Sequence, residues 1–326
     1  MMNDNREKQN VIKKEYRLPS SDGRSVLHVA VWEPEREIRG ILQISHGMIE
    51  HIGRYDGFAR ALAAEGILVA GHDHLGHGKS SRQEDYGFFA DQKGDVYVIR
   101  DMRRVSRALK KRYSARPYFF LGHSMGSFFL RKYLMVYGRD GDGAVIMGTG
   151  DEPLPVLLAG MAAVSLTGRI RGWRYRSPLL HNLVLGSFDR KFKEDREPKR
   201  WISGDRKKVQ EYQKDPMCQF IFTCSAYRDL FKTMLDLKSC FWLSRMPEDL
   251  PVLLLSGDQD PVGNQGRGVK RVYKKMKKRG VLDVTVRLYP GCRHELLNET
   301  NRRQVYQDIL AWIDRRILLR QGLKTR

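Results

Sequence analysis

The chain has 326 residues, 41% of them hydrophobic, which is enough for one large core carrying an insertion or for two domains. Lys and Arg outnumber Asp and Glu by 59 to 38, a formal net charge of +21, and the mean hydropathy of −0.52 implies a heavily solvated surface. Four cysteines without CxxC spacing leave no need for a disulfide framework and no metal-site signature, so Cys218, Cys224, Cys240 and Cys292 are expected as buried thiols.

The opening MMNDNREKQN has no apolar stretch behind a basic one, so no signal peptide is expected. No apolar run reaches the roughly 20 residues of a membrane-spanning helix. The longest, Pro153 to Leu166, runs out before Arg169, Arg171 and Arg174. The expected location is cytoplasmic, with peripheral contact to an anionic membrane surface as one use for the positive charge. The basic residues cluster in Arg103 to Arg116 and Val269 to Arg279, spaced as solvated helix faces. No basic motif interleaved with aromatics is present, so nucleic acid is not an expected partner. The sequence carries no signal for an oligomeric state.

In chain order, Arg24 to Trp32 alternates like a strand, with Val26, His28, Ala30 and Trp32 on one face. Gly40 to Ser45, Ile67 to Asp73, Pro117 to Ser124 and Ala144 to Thr149 are short apolar runs ending in polar residues. Helical spacing fills Tyr55 to Glu65, Val96 to Arg112 and Ser127 to Tyr137. Buried strands separated by helices imply an α/β fold with a mostly parallel central sheet and helices on both faces. From Asp151 to about Pro247 the pattern breaks into loops and short helices. It resumes with strands at Pro251 to Asp260 and Val284 to Gly291, and a helix at Asn301 to Leu319. The expected organisation is a core of residues 1–150 and 248–326 interrupted by a mainly helical cap at 151–247.

Gly122-His123-Ser124-Met125-Gly126 follows the apolar run YFFL and precedes the helical SFFLRKYLMVY. This strand–turn–helix setting is what a nucleophile elbow requires. A serine nucleophile needs a base, and the base an orienting acid. Asp260 leaves a strand in SGDQDPVG and is preferred over Asp258 as the acid; His294 follows the next strand in PGCRHELLNE and is expected as the base. Glu295 and Glu299 are expected to serve structure. An oxyanion hole needs two backbone N–H groups, expected from Met125 and from Met48 in the loop His46-Gly47-Met48-Ile49-Glu50-His51. His72-Asp73-His74-Leu75-Gly76-His77 has histidines enough to suggest a metal, but the glycines fit a tight hydrogen-bonded loop better. No metal and no cofactor are expected.

Together HGMIEH, DHLGHGKS, GHSMG, GDQDPVG and CRHELLNE resemble the monoacylglycerol lipase and lysophospholipase branch of the α/β-hydrolases, within the serine aminopeptidase-type family. The resemblance runs from about Val11 to Leu319, and FDRKFKEDREPKRWISGDRKKVQEYQKDPMCQFIFT looks like that branch's cap. It implies an α/β-hydrolase fold, a triad of Ser124, Asp260 and His294, Met48 and Met125 as oxyanion donors, and a lipid ester as substrate, a monoacylglycerol or lysophospholipid. The loop begins HG-Met where animal relatives begin HG-Ala, a change that alters the acyl pocket more than a backbone donor. The branch also holds peptidases that release N-terminal residues, as proline iminopeptidases do, and short-chain carboxylesterases. A non-catalytic binding protein on this scaffold is the reading a broken triad would favour, and here each member is present.

Overall fold

The computed structural model describes residues 11–195, 197–239 and 245–322. An eight-stranded sheet runs through it in the order β1-β2-β4-β3-β5-β6-β7-β8, with β1 Val11–Pro19, β2 Val26–Pro34, β3 Gly40–Ser45, β4 Ile67–His72, β5 Tyr118–His123, β6 Gly143–Met147, β7 Val252–Gly257 and β8 Val284–Tyr289. β1 and β2 pair antiparallel, β2 joins β4 antiparallel, and every later pair is parallel. This is the mostly parallel α/β-hydrolase sheet that the sequence implies. The parallel strands β3 to β7 are buried along their whole length, because helices cover both faces.

Two apolar layers sandwich the sheet. One packs α1 (Asp56–Ala64) and the terminal helix α9 (Arg302–Arg320) on one face, through Phe58, Leu62, Ile309, Trp312 and Ile313. The other packs α2 (Gly94–Arg112), α3 (Met125–Tyr137) and α8 (Arg267–Lys278) on the opposite face, through Val98, Met102, Phe129, Leu130, Val269 and Val272. Strand β2 departs from simple alternation: His28, Val29, Ala30 and Val31 are all buried, since both faces of the sheet are covered there.

Between β6 and β7 lie α4 (Leu154–Arg171), α5 (Pro178–Leu185), α6 (Arg206–Lys214) and α7 (Cys224–Asp236), with one isolated bridge, Arg176 to Thr223. Loops and short helices were expected here, yet α4 spans 18 residues. Its apolar side chains occur on every face, so the run shows no helical period. It buries Leu157, Gly160, Val164 and Gly168 in one stripe, with Gly160 against Phe231 of α7 and Gly168 against Trp173. The opposite face leaves Leu158, Leu166 and Ile170 exposed. The expectation that no segment is long and apolar enough for a membrane span is corrected here: α4 meets that minimum by length and composition, with 22% of it buried. The sequence reading ended the run at Leu166, whereas the helix continues through two arginines. Cys218, Cys224 and Cys292 are buried free thiols as expected, and Cys240 lies outside the described residues.

Candidate active site

Ser124 sits between the last residue of β5 and the first residue of α3 with φ 52° and ψ −121°. A non-glycine residue in that region costs about 1–3 kcal/mol and persists only where its surroundings enforce it. The flanking glycines are part of that enforcement. A Cβ at Gly126 would lie 2.1 Å from the Ser45 carbonyl oxygen, and one at Gly122 2.7 Å from the Gly126 carbonyl oxygen. The strand, the turn and the helix therefore meet at contact distance, and Ser124 N–H is tied to the Met147 carbonyl at 3.0 Å.

Asp260 follows β7 and His294 follows β8. The two loops are held together because Gly257 has no side chain: a Cβ there would lie 2.0 Å from the Cys292 carbonyl oxygen. His294 Nδ1 meets Asp260 Oδ1 at 3.0 Å, and both residues are buried. Asp260 also accepts the Val262 N–H at 2.9 Å through Oδ1 and the Ser256 hydroxyl at 3.4 Å through Oδ2. A carboxylate that accepts at Nδ1 leaves the lone pair on Nε2, and His294 Nε2 is a buried nitrogen with no hydrogen-bond partner among the described residues. Asp258 instead accepts the Gly291 N–H at 2.8 Å.

Ser124, His294, Met48 and Met125 border one cavity of about 640 Å³, a size suited to a small-molecule substrate. Its walls are mostly apolar: Phe128 of α3, Val156, Leu157 and Ala163 of α4, and Leu230 and Phe231 of α7. The loop at 46–51 is drawn close to Ser124, since a Cβ on Gly47 would lie 3.1 Å from Ser124 Cβ. Ile49 in the same loop holds φ 56°, a second strained backbone beside the site.

The profile of the family described as serine aminopeptidase, S33, matches residues 36–301. The chain belongs to this family. Among curated relatives, it is 26% identical to a monoacylglycerol lipase of Mycolicibacterium smegmatis, over 87% of this chain and 91% of that one. It is 28% identical to the human monoglyceride lipase, over 92% and 90%. Among solved structures, a thermostable carboxyl esterase of Bacillus coagulans in complex with glycerol superposes with a TM-score of 0.87 at 27% identity, over 94% of this chain and 99% of that one.

This S33 hydrolase carries a charged network behind His294 that its local motifs do not announce. Arg54 binds Glu295 through two contacts of 2.6 and 2.7 Å and reaches Glu50 at 3.1 Å. Glu50 accepts from Tyr55 at 2.9 Å, from the Gly47 N–H, and pairs with His123 Nδ1 at 3.1 Å. Burial works against the Glu50 carboxylate, but the His123 contact and the Arg54 charge hold its pKa well below the usual carboxylate range. Burial likewise opposes the His123 cation, and the Glu50 contact wins and raises its pKa. The His123 and His294 rings lie 4.8 Å apart, and Trp201, contributed from between α5 and α6, covers the other side of His294 at 5.0 Å. Glu295 also borders the cavity, and Glu299 Oε1 accepts the N–H groups of Gly204 and Arg293. Only the HGxxEHxxR spacing hinted at the Glu50–Arg54 part of this network.

The histidine-rich loop forms a closed cluster instead of an open ligand cage. Rings of His46 and His74 lie 4.3 Å apart, and those of His72 and His74 4.8 Å. His46 Nε2 accepts the His74 N–H at 3.0 Å, and His74 Nε2 meets the Ser45 hydroxyl at 3.0 Å. These contacts join the loop at 46–51 to the end of β4.

Proposed function

We propose that the protein hydrolyses a carboxylic ester of a lipid, a monoacylglycerol or a lysophospholipid, through an acyl-enzyme on Ser124. The observation that carries this is an apolar cavity holding both Ser124 and the unpaired Nε2 of an aspartate-bound histidine. The relatives named as monoacylglycerol and monoglyceride lipases support the same substrate class.

In the first step His294 Nε2 removes the Ser124 hydroxyl proton as Oγ attacks the ester carbonyl carbon. The carbonyl oxygen takes the negative charge and is met by the N–H groups of Met48 and Met125. Asp260 fixes the tautomer and balances the imidazolium. The C–O bond to the alcohol then breaks as His294 returns the proton to the leaving oxygen. Water repeats the cycle on the acyl-serine, releasing the fatty acid and restoring Ser124.

Residues 151–247 act as a cap on a core of 1–150 and 248–326. α4 and α7 form the acyl wall, and the outer face of α4 and α5 meets a lipid surface. Leu158, Leu166 and Ile170 on α4, with Leu179 and Leu183 on α5, supply exposed apolar area, and Arg169, Arg171 and Arg174 supply charge for an anionic headgroup layer.

Ser124→Ala removes nearly all turnover of p-nitrophenyl butyrate and of monoacylglycerol, and abolishes labelling by a fluorophosphonate probe. A variant that still turns over at the wild-type rate rejects the mechanism. A second reading, release of an N-terminal residue, rests on Glu152. This cavity residue has no ion pair or hydrogen bond among the described residues, and burial raises its pKa. Release of naphthylamine from prolyl-β-naphthylamide faster than fatty acid from monoacylglycerol would favour it.

A further inference from the structure

Away from the serine, another set of donor atoms converges. His51, Asp215 and Cys218 each offer one ligand atom, and among the described residues these three atoms lie within 4.8 Å of one another. His51 follows the oxyanion loop in the core, whereas Asp215 and Cys218 lie between α6 and α7 in the inserted segment. We propose that these three residues bind a zinc ion, which ties the inserted helices to the core loop beside the substrate cavity.

The geometry needs little adjustment. His51 Nε2 and Asp215 Oδ2 already meet at 2.8 Å. Tetrahedral zinc takes nitrogen and oxygen at about 2.0–2.2 Å and sulfur at about 2.3 Å, so its donors sit roughly 3.3–3.7 Å apart. The His51–Asp215 contact opens by about half an ångström, and the thiol closes in by up to about 1.2 Å. Asp215 is braced for this, because its Oδ1 accepts the Met217 N–H at 2.9 Å while Oδ2 stays with His51. Capture at Nε2 uses the tautomer with the proton on Nδ1, so the 3.2 Å contact from the Gly53 N–H gives way.

The second observation is the thiol itself. Cys218 is fully buried, and its sulfur has no hydrogen-bond partner among the described residues. That sulfur lies within 4.8 Å of the ligand atoms of both His51 and Asp215. Near it stand the carboxylates of Asp215, Glu50 and Glu295 and the cations of Arg54 and Lys199, with Arg54 already paired to Glu50 and Glu295. On binding, the S–H bond breaks, a Zn–S bond forms and the proton leaves to water. The thiolate and Asp215 then cancel the charge of a divalent ion. A thiolate, an imidazole and a carboxylate favour zinc over magnesium or calcium, which prefer oxygen ligands only. His51 and Asp215 are partly open to solvent, with side-chain exposures of 12% and 24%, which gives the ion an entry path and a water as fourth ligand.

Cobalt(II) tests this on the full-length protein without reference to ester hydrolysis. The expected result is near-ultraviolet absorption from a cobalt–thiolate bond, saturating at one ion per chain and abolished by zinc. Cys218→Ser removes that absorption, and Asp215→Asn weakens cobalt binding about tenfold or more while keeping it. Circular dichroism establishes that each variant is folded. If Cys218→Ser does not fold, His51→Gln, at a partly open position, gives the deciding comparison, with an expected loss of about tenfold or more. The proposal is overturned by no absorption up to about 1 mM cobalt. It is equally overturned by absorption that survives Cys218→Ser, or by wild-type affinity in Asp215→Asn or His51→Gln.

Discussion

Asp258 and Asp260 leave the same strand two residues apart, yet they face different partners. Asp258 Oδ1 takes the Gly291 N–H and steadies the turn after β8, while Asp260 is fully buried against His294 Nδ1. An amide at position 260 can present its NH₂ to the ring and stabilise the wrong tautomer. The proton then sits on Nε2, and the base cannot accept from Ser124. Asp260→Asn is therefore expected to lower kcat by about 10⁴-fold with little change in substrate binding. Asp258→Asn keeps an acceptor for Gly291 and stays within about threefold of wild type. Steady-state kinetics on p-nitrophenyl butyrate decides the assignment, and the opposite ranking would transfer the acid role to Asp258.

Elements were legible where burial imposed a period, and illegible where it did not. β3, β4, β5, β6 and β8 fall within two residues of their sequence-based ranges and β7 within three, because buried parallel strands are short apolar runs with polar exits. β1 carried no such signal: VIKKEYRLP is an edge strand whose lysines, glutamate and arginine stay in solvent. The serine, aspartate and histidine were readable as ordered local motifs, whereas the Arg54–Glu295 pairing spans 241 positions and leaves no local trace. α4 was shortened because its apolar residues serve three environments at once: the α7 contact, the cavity wall and the outer face. That outer face carries the proposed lipid contact. Replacing Leu158 and Leu166 with glutamate removes two exposed apolar side chains worth about 1.5–3 kcal/mol each on full burial. Partitioning onto phosphatidylglycerol vesicles should fall by about tenfold or more. Raising salt should weaken binding of the parent protein too, since surface charges are screened over about 8 Å at physiological ionic strength. Cosedimentation that is indifferent to both changes would remove the lipid surface from the proposal.

At the scale of the whole molecule, the histidine cluster couples the active-site loops to global stability. His46, His72, His74 and His77 are buried in a region that joins the oxyanion loop, β4 and the segment after it. Burial pushes all four pKa values down, to about 3 for His72 and for His77. In the unfolded chain each titrates near its ordinary value of about 6.5. Below that pH the unfolded state holds more protons than the folded one, so stability falls as the pH drops. The contribution is complete above about pH 6.5 and is lost progressively toward pH 3. His72 and His77 alone give a slope of roughly 3 kcal/mol per pH unit near pH 5, one proton from each group. His123, whose pKa is raised, acts only above about pH 6.5 and offsets little near pH 5, while His46 and His74 add to the loss. A domain stable by about 5–15 kcal/mol cannot absorb that slope over many pH units. Self-repulsion acts in the same sense, because a chain already at +21 gains further positive charge on acidification. Urea unfolding followed by tryptophan fluorescence should therefore give midpoints that drop sharply between pH 7 and pH 5, with cooperative unfolding without urea near pH 4. Equal midpoints at pH 7 and pH 5 would show that the cluster takes up protons while folded. The loop that positions the oxyanion donors would then have to be rebuilt around a charged interior.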